Sequence, residues 1–170
     1  MNSLGFSEVS ISDSFMKDSD CDFLKNYFEE YYVNKSNVWG GTNVISLSDT
    51  PSSHLKKSFI RKKHLWKISR KFPFLKYQYD NLVKWLPGSF SENHYDRDFP
   101  HSKVRTVNDW TAVCYLNDDY EGGELLLENK PFKPKKGRLI VFPGKKIFHS
   151  VKEVHGNRYT HIAWWQELKN

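Results

Sequence analysis

The chain is 170 residues long and 16% aromatic, with 26 Lys and Arg against 20 Asp and Glu for a formal charge of +6. That length suits one domain with a sizeable core, and no stretch approaches the ~18 consecutive apolar residues of a membrane span. The N-terminal MNSLGFSEVSISDSF has neither a basic start nor a continuous apolar run, so a cytoplasmic protein with no membrane partner is expected, its Cys21 and Cys114 reduced.

In chain order, the first predicted element is a helix over Asp18 to Tyr32. Phe23, Leu24, Tyr27, Phe28, Tyr31 and Tyr32 fall on one apolar stripe, and Asp18, Ser19 or Asp20 is placed to cap it. Residues Lys35 to Ser53 are rich in Gly, Ser, Thr and Asn and read as a loop, with Trp39, Gly40 and Gly41 either a mobile lip or a plain connection. A second helix is expected over Ser52 to Lys71. It carries most of a basic run, Lys56, Lys57, Arg61, Lys62, Lys63, Lys67, Arg70, Lys71 and then Lys76, with Trp66 among them. The run reads as a solvated helix face; the sharper alternative is a surface for an acidic partner, protein or nucleic acid.

From about Tyr77 the pattern changes to strands. Trp110 to Leu116 is rich in β-branched and aromatic residues, Gly122 and Gly123 mark a turn, and PKKG (Pro134 to Gly137) leads into Arg138 to Phe142, closed by Pro143 and Gly144. In the last strand, Arg158 to Trp165, the alternate residues Arg158, Thr160, Ile162 and Trp164 share one face, and His161 points the other way. Helices followed by six to eight strands predict a mostly β (α+β) chain, a jelly roll with N-terminal flanking helices. Residues 1–170 read as one domain, 1–78 a helical support and 79–170 a catalytic core.

Within this frame His94 and Asp96 lie two apart in NHYDRD, and His149 sits in the alternation Ile147, His149, Val151. In an extended strand, residues two apart point to one side, about 6.6 Å from each other, so His94 and Asp96 can converge on a cation while Tyr95 points away. Two histidines and a carboxylate on one face of an octahedral ion leave three positions open, which suits non-haem Fe(II) and oxygen; zinc prefers a closed tetrahedron. His54, His64, His101, His155 and His161 are assigned no role.

From Leu82 to Gln166 the chain resembles the 2-oxoglutarate and Fe(II)-dependent oxygenases of the prolyl hydroxylase group, whose members fold as a double-stranded β-helix. The residues that carry the resemblance are Trp85 with Gly88, His94 with Asp96, the run Tyr115, Leu116, Asn117, then Gly122, Gly123, His149, Arg158 and Trp164. The resemblance implies that His94, Asp96 and His149 hold Fe(II) as the catalytic metal. It implies that Arg158 grips the distal carboxylate of 2-oxoglutarate with the Tyr115 hydroxyl as a second donor, that Val113 and Leu125 line its methylenes, and that Trp85 and Trp164 complete the wall. A guanidinium suits that task because its planar fork makes two charge-assisted bonds to a carboxylate. The cosubstrates implied are 2-oxoglutarate and O2, with ascorbate an optional accessory, and the products from 2-oxoglutarate are succinate and CO2. Iron, Asp96, Arg158 and the 2-oxoglutarate dianion cancel in formal charge, which makes burial of the assembly tolerable.

Arg158 follows His149 by nine residues, as in the oxygen-sensing prolyl hydroxylases, rather than being replaced by the lysine of the collagen-modifying type. Trp85 stands where the family has a tyrosine. Trp164 stands where nucleobase-repair relatives carry a second arginine, and Asp96 is present where halogenases lack the carboxylate. Hydroxylation of a peptidyl proline is the expected reaction, on a peptide or protein substrate of acidic character rather than on nucleic acid. The polar segments Lys35 to Ser53 and Arg97 to Asn108 are the expected cleft edges. The alternatives are a hydroxylase of a small molecule or free amino acid, and a cupin-like binding module without turnover.

Overall fold

The computed structural model describes residues 8–33, 41–47, 53–98 and 107–168. Two helices are present among them, α1 (Asp18–Tyr31) and α2 (Leu55–Lys71). The strands are β1 (Ser10–Ser12), β2 (Thr42–Ser46), β3 (Leu75–Trp85), β4 (Ser91–His94), β5 (Trp110–Tyr115), β6 (Glu121–Gly122), β7 (Leu125–Leu127), β8 (Lys130–Phe132), β9 (Leu139–Phe142), β10 (His149–Val151), β11 (Val154–His155) and β12 (Arg158–Glu167). A major sheet runs in the order β1, β9, β5, β12, β3, β2, and a minor sheet in the order β4, β10, β7, β8. Every pairing is antiparallel, and the two sheets form the expected jelly roll.

Strand alternation divides the core into two layers. On β5, Trp110, Ala112 and Cys114 join the cluster under the helices, whereas Val113 and Tyr115 join the cluster between the sheets. β12 repeats the division, with Tyr159, Ala163 and Trp165 on the helix side and Ile162 and Trp164 on the other. Central strands buried on both faces read as continuous apolar runs, which is why β5 and β9 look uniformly hydrophobic in the sequence.

The structure departs from the sequence reading in five places. The residue at the N-cap of α1 is Lys17, with no side-chain capping bond; Asp18 and Asp20 lie inside the first turn, where their charge still complements the helix dipole. Helix α2 begins at Leu55, and the expected start at Ser52 lies outside the described residues. Thr42–Ser46, expected as loop, is an edge strand paired with β3; its buried Thr42 and Ile45 are hidden in a polar stretch too short to show alternation. The expected lip residues Trp39 and Gly40 fall outside the described residues, and Gly41 just precedes this strand. From β3 onward ten strands replace six to eight among the described residues, because elements of two or three residues, such as β6 and β11, leave no periodic signal. Residues 1–78 are accordingly more than a helical support, since β1 and β2 form both edges of the major sheet.

The basic run is likewise not one solvated face. Lys57 is buried, Arg61 pairs with Asp80, Lys63 with Asp20, and Lys67 donates to the Phe15 carbonyl. Asp80 is fully buried and accepts from Arg61 Nε at 2.8 Å, Tyr77 at 2.6 Å and His161 Nε2 at 2.8 Å. Burial opposes its charge, yet His161 and Arg61 hold its carboxyl below the usual carboxylate range. His161 thus faces away from Arg158, as strand parity requires, and ties β12 to β3 and α2.

Candidate active site

His94 ends β4 and pairs directly with His149 at the start of β10, so that the two imidazole centroids lie 4.3 Å apart. Asp96 sits two residues beyond His94, past the end of the strand, where its backbone N–H donates to the Gly144 carbonyl at 3.0 Å. Its carboxylate fills the space where a Cβ on Gly144 would stand, and Thr111 Oγ1 donates to its Oδ2. Any other residue at 144 would overlap Asp96, which gives the Pro143–Gly144 turn a reason beyond chain reversal.

The three side chains converge. Asp96 Oδ1 lies 3.6 Å from His149 Nε2 and 3.9 Å from His94 Nε2, and the candidate ligand atoms are all within 4.8 Å of one another. His149 Nδ1 is 2.8 Å from the Ile147 carbonyl and His94 Nδ1 2.8 Å from that of Glu92. A carbonyl only accepts, so both Nδ1 atoms carry a proton, and Nε2 is the ring atom that each histidine turns toward Asp96. Burial raises the Asp96 carboxyl pKa, but His149 and Thr111 outweigh it and keep the group below its ordinary value. His149 and Asp96 are 7% and 12% exposed against 47% for His94, so the cluster opens on the His94 side.

Across the barrel, on the major sheet, Arg158 is 1% exposed and its guanidinium lies 4.8 Å from the Trp85 ring and 5.1 Å from the Tyr115 ring. Register explains the grouping: Arg158 pairs with Trp85, and Thr160 with Tyr115. Arg158 Nε and Nη1, the Tyr115 hydroxyl and Thr160 Oγ1 are buried without a hydrogen-bond partner. Strand parity puts Tyr115 on the same face of β5 as Thr111, whose hydroxyl bonds Asp96, so these donors and the His94, Asp96 and His149 cluster border the same space between the sheets. Val113, Leu125, Trp85 and Trp164 belong to the apolar cluster between the sheets that surrounds this gap.

Two residues missed in the sequence also enter. The buried Tyr120 hydroxyl interacts electrostatically with Arg158, without a hydrogen bond of normal geometry, and burial pushes its pKa up. Gly123, at φ +68°, makes room for this: a Cβ there would stand 3.0 Å from Arg158 Cδ and 3.1 Å from Tyr120 Cε2. Tyr79 stacks on Trp164 with centroids 4.5 Å apart and accepts a bond from Asn108 Nδ2 at 3.1 Å. The signals were present, since Tyr120 immediately precedes the Glu-Gly-Gly turn and Tyr79 shares strand parity with Trp85. Of the expected cleft edges, residues 35–40, 48–52 and 99–106 lie outside the described residues.

A family model described as "2OG-Fe(II) oxygenase superfamily" matches residues 77–166, more than half of the chain. The chain belongs to the 2OG-Fe(II) oxygenase superfamily. It is 37% identical over 71 residues to human prolyl 3-hydroxylase 2, a match that spans 37% of this chain and only 10% of that protein. Among solved structures, the viral collagen prolyl hydroxylase of Paramecium Bursaria Chlorella virus-1, in complex with 2OG, superposes with a TM-score of 0.70 at 21% identity, covering 95% and 97% of the two chains. A Trichoplax adhaerens prolyl hydroxylase in complex with a hypoxia inducible factor peptide fragment gives 0.71 at 17% identity, covering 95% and 84%. These two structures share the fold.

The cofactors of the superfamily are Fe(II) and 2-oxoglutarate, with O2 as cosubstrate, and the donors present here suit both. Two imidazole lone pairs and one carboxylate match Fe(II). Arg158 Nε and Nη1 and the Tyr115 hydroxyl, buried without partners, match a carboxylate, and the apolar walls match its methylenes.

Proposed function

We propose that the chain is a 2-oxoglutarate-dependent hydroxylase in which His94, Asp96 and His149 hold the iron and Arg158 and Tyr115 anchor 2-oxoglutarate. The observation that carries this reading is the cluster of buried, partnerless donors on β12 and β5, opposite the histidine and carboxylate cluster on the minor sheet. A buried guanidinium without an acceptor is costly in the free protein and becomes favourable once a carboxylate enters. When bound, iron and 2-oxoglutarate supply the oxidising chemistry, with 2-oxoglutarate converted to succinate and CO2.

The chain's own residues supply position. The Ile147 and Glu92 carbonyls fix the tautomers of His149 and His94, and Thr111 and Gly144 fix the rotation of Asp96. Arg158 orients 2-oxoglutarate by its distal end, held in turn by the faces of Trp85 and Tyr115. Val113, Leu125 and Trp164 keep water from the gap, and Tyr79 stacks behind Trp164. Substrate approaches from the exposed His94 side.

For the substrate we favour a peptidyl proline, on a peptide or protein that is acidic in character. Support comes from the likeness to prolyl hydroxylases, from Trp164 in place of a second arginine, and from the excess of basic residues. The helical layer and the barrel act as one catalytic unit, joined by the core cluster that runs from α1 and α2 onto β5 and β12. Two buried, unpaired cysteines suit a reducing cytoplasm.

The test is succinate release in the presence of Fe(II), 2-oxoglutarate and O2, against a panel of proline-containing peptides and free amino acids. Peptide-dependent turnover with a mass shift of one oxygen on proline, lost in His94→Ala, Asp96→Ala and His149→Ala, is the expected result. Turnover with free amino acids alone would reject the peptidyl substrate, and full activity in any ligand variant would reject that ligand.

A further inference from the structure

Helix α2 reads LKKSFIRKKHLWKISRK, with eight basic residues and no acidic one. Its inward face, with Lys57, Ile60, His64 and Ile68, packs on the major sheet. Its outward face carries Leu55 at 77% exposure, Phe59 at 69% and Trp66 at 58%. At about 100° per residue, Leu55, Phe59, Lys62, Trp66 and Arg70 fall within roughly 80° of one another, a narrow ridge along the whole helix. Three large apolar side chains in line and more than half exposed are not explained by packing in this chain.

Charge distinguishes this ridge from a merely solvated face. Arg61, Lys63 and Lys67 are tied to Asp80, Asp20 and the Phe15 carbonyl, whereas Lys62 and Arg70 are exposed and form no ion pair among the described residues. The Arg70 guanidinium lies 5.1 Å from the Trp66 ring centroid and extends the ridge with charge. Lys62 sits between Phe59 and Trp66 along the helix axis, on the flank of the apolar line about 20° from Leu55. Against a partner protein that position would bury an ammonium and demand an opposed carboxylate. Against a lipid surface the butyl stem lies along the acyl boundary while the ammonium reaches the headgroup phosphates.

We infer that the outward face of α2 docks this chain peripherally on an anionic lipid surface, with Leu55, Phe59 and Trp66 entering the headgroup boundary and Lys62 and Arg70 meeting the phosphates. Leu, Phe and Trp beside Lys and Arg are the side chains of interfacial helices, and basic clusters on an amphipathic helix favour acidic lipids. No described helix is long and apolar enough to cross a membrane, and a peripheral contact needs none. The expectation from the sequence of no membrane partner rested on the lack of a spanning segment, which this contact leaves untouched. The helix covers the opposite face of the major sheet from the iron-side cluster, so a docked molecule keeps its His94 opening in solvent.

The test is co-sedimentation of the intact chain with phosphatidylcholine vesicles, with and without about 30% phosphatidylserine, alongside a single-stranded oligonucleotide in a separate binding titration. Binding to the phosphatidylserine vesicles only, weakened by salt, is expected. The pair Lys62→Gln and Arg70→Gln should weaken it about 30-fold, as should Phe59→Ser with Trp66→Ser, while Fe(II)-dependent 2-oxoglutarate binding stays unchanged and reports an intact fold. Equal binding to both vesicle types, no binding to either, or insensitivity to both variant pairs would overturn the inference. So would oligonucleotide binding lost in the same variants with the vesicles left unbound, which would assign the ridge to nucleic acid.

Discussion

β12 takes part in a buried polar group on each of its two faces, and the two groups differ in whether their hydrogen bonds are made. On the helix side, Asp80 is surrounded by Arg61, Tyr77 and His161 at 2.6 to 2.9 Å. On the side facing the minor sheet, Arg158, Tyr115 and Thr160 are equally buried and lack partners at four atoms. Lone lapses occur on the helix side too, at His64 Nδ1 and Trp165 Nε1, so a single orphan atom signals little. Four adjacent ones around a buried cation, each costing about 1 to 3 kcal/mol, signal a place kept for a ligand. β12 therefore carries a polar group whose bonds are made on one face and one whose bonds are unmade on the other, and the second suits the carboxylate proposed above.

Breaking the closed group should have the largest effect on stability. Asp80→Ala leaves Arg61 and His161 without their acceptor and should cost about 3 to 5 kcal/mol, near the lower end because Arg61 is 18% exposed and can regain water. Chemical denaturation measures it, and a loss below about 1 kcal/mol would mean that Asp80 does not organise this face.

A smaller effect comes from His64, also on the helix side. Burial pushes its pKa down to about 4 from 6.5, with Asp20 opposing only in part. A depressed histidine is neutral in the folded chain while the unfolded chain takes up a proton. Stability should therefore be full above about pH 6.5 and fall as the pH drops toward about 4, by at most ~1.4 kcal/mol per unit. Asp80 adds to the slope only at the bottom of that window, where the unfolded carboxyl, with its ordinary pKa of 3.8, begins to take up a proton that the folded one does not. Denaturation midpoints of wild type and His64→Leu between pH 7 and 4 should show the slope in the first and a flatter line in the second. Identical slopes would place the titrating group elsewhere.

What could be read from the sequence follows from periodicity. Parity along β12 separated Arg158, Thr160, Ile162 and Trp164 from His161, and the two-residue spacing of His94 and Asp96 survived even though β4 stops at His94. Contacts between strands distant in sequence leave no such mark. Tyr120 reaches Arg158 beside a glycine turn, and Tyr79 reaches Trp164 by cross-strand register, so the turn and the parity point to their region but not to their partners. β2 escaped notice because its two buried residues, Thr42 and Ile45, lie three apart and so fall on opposite faces, leaving no alternation to read. The basic run looked uniform because a list of charges hides helical phase; only the wheel separates Lys57 and Arg61 from Lys62 and Arg70.

The central claim is that Arg158, whose Nε and Nη1 are buried without hydrogen-bond partners, is kept for the distal carboxylate of 2-oxoglutarate. It is tested most directly by calorimetric titration of 2-oxoglutarate into wild type and Arg158→Ala, with Fe(II) present and oxygen absent. Losing a charged partner to a buried carboxylate should weaken binding by about 2 to 5 kcal/mol, on the order of 30-fold or more, with the unliganded fold no less stable. Equal affinities in the two proteins would contradict the claim.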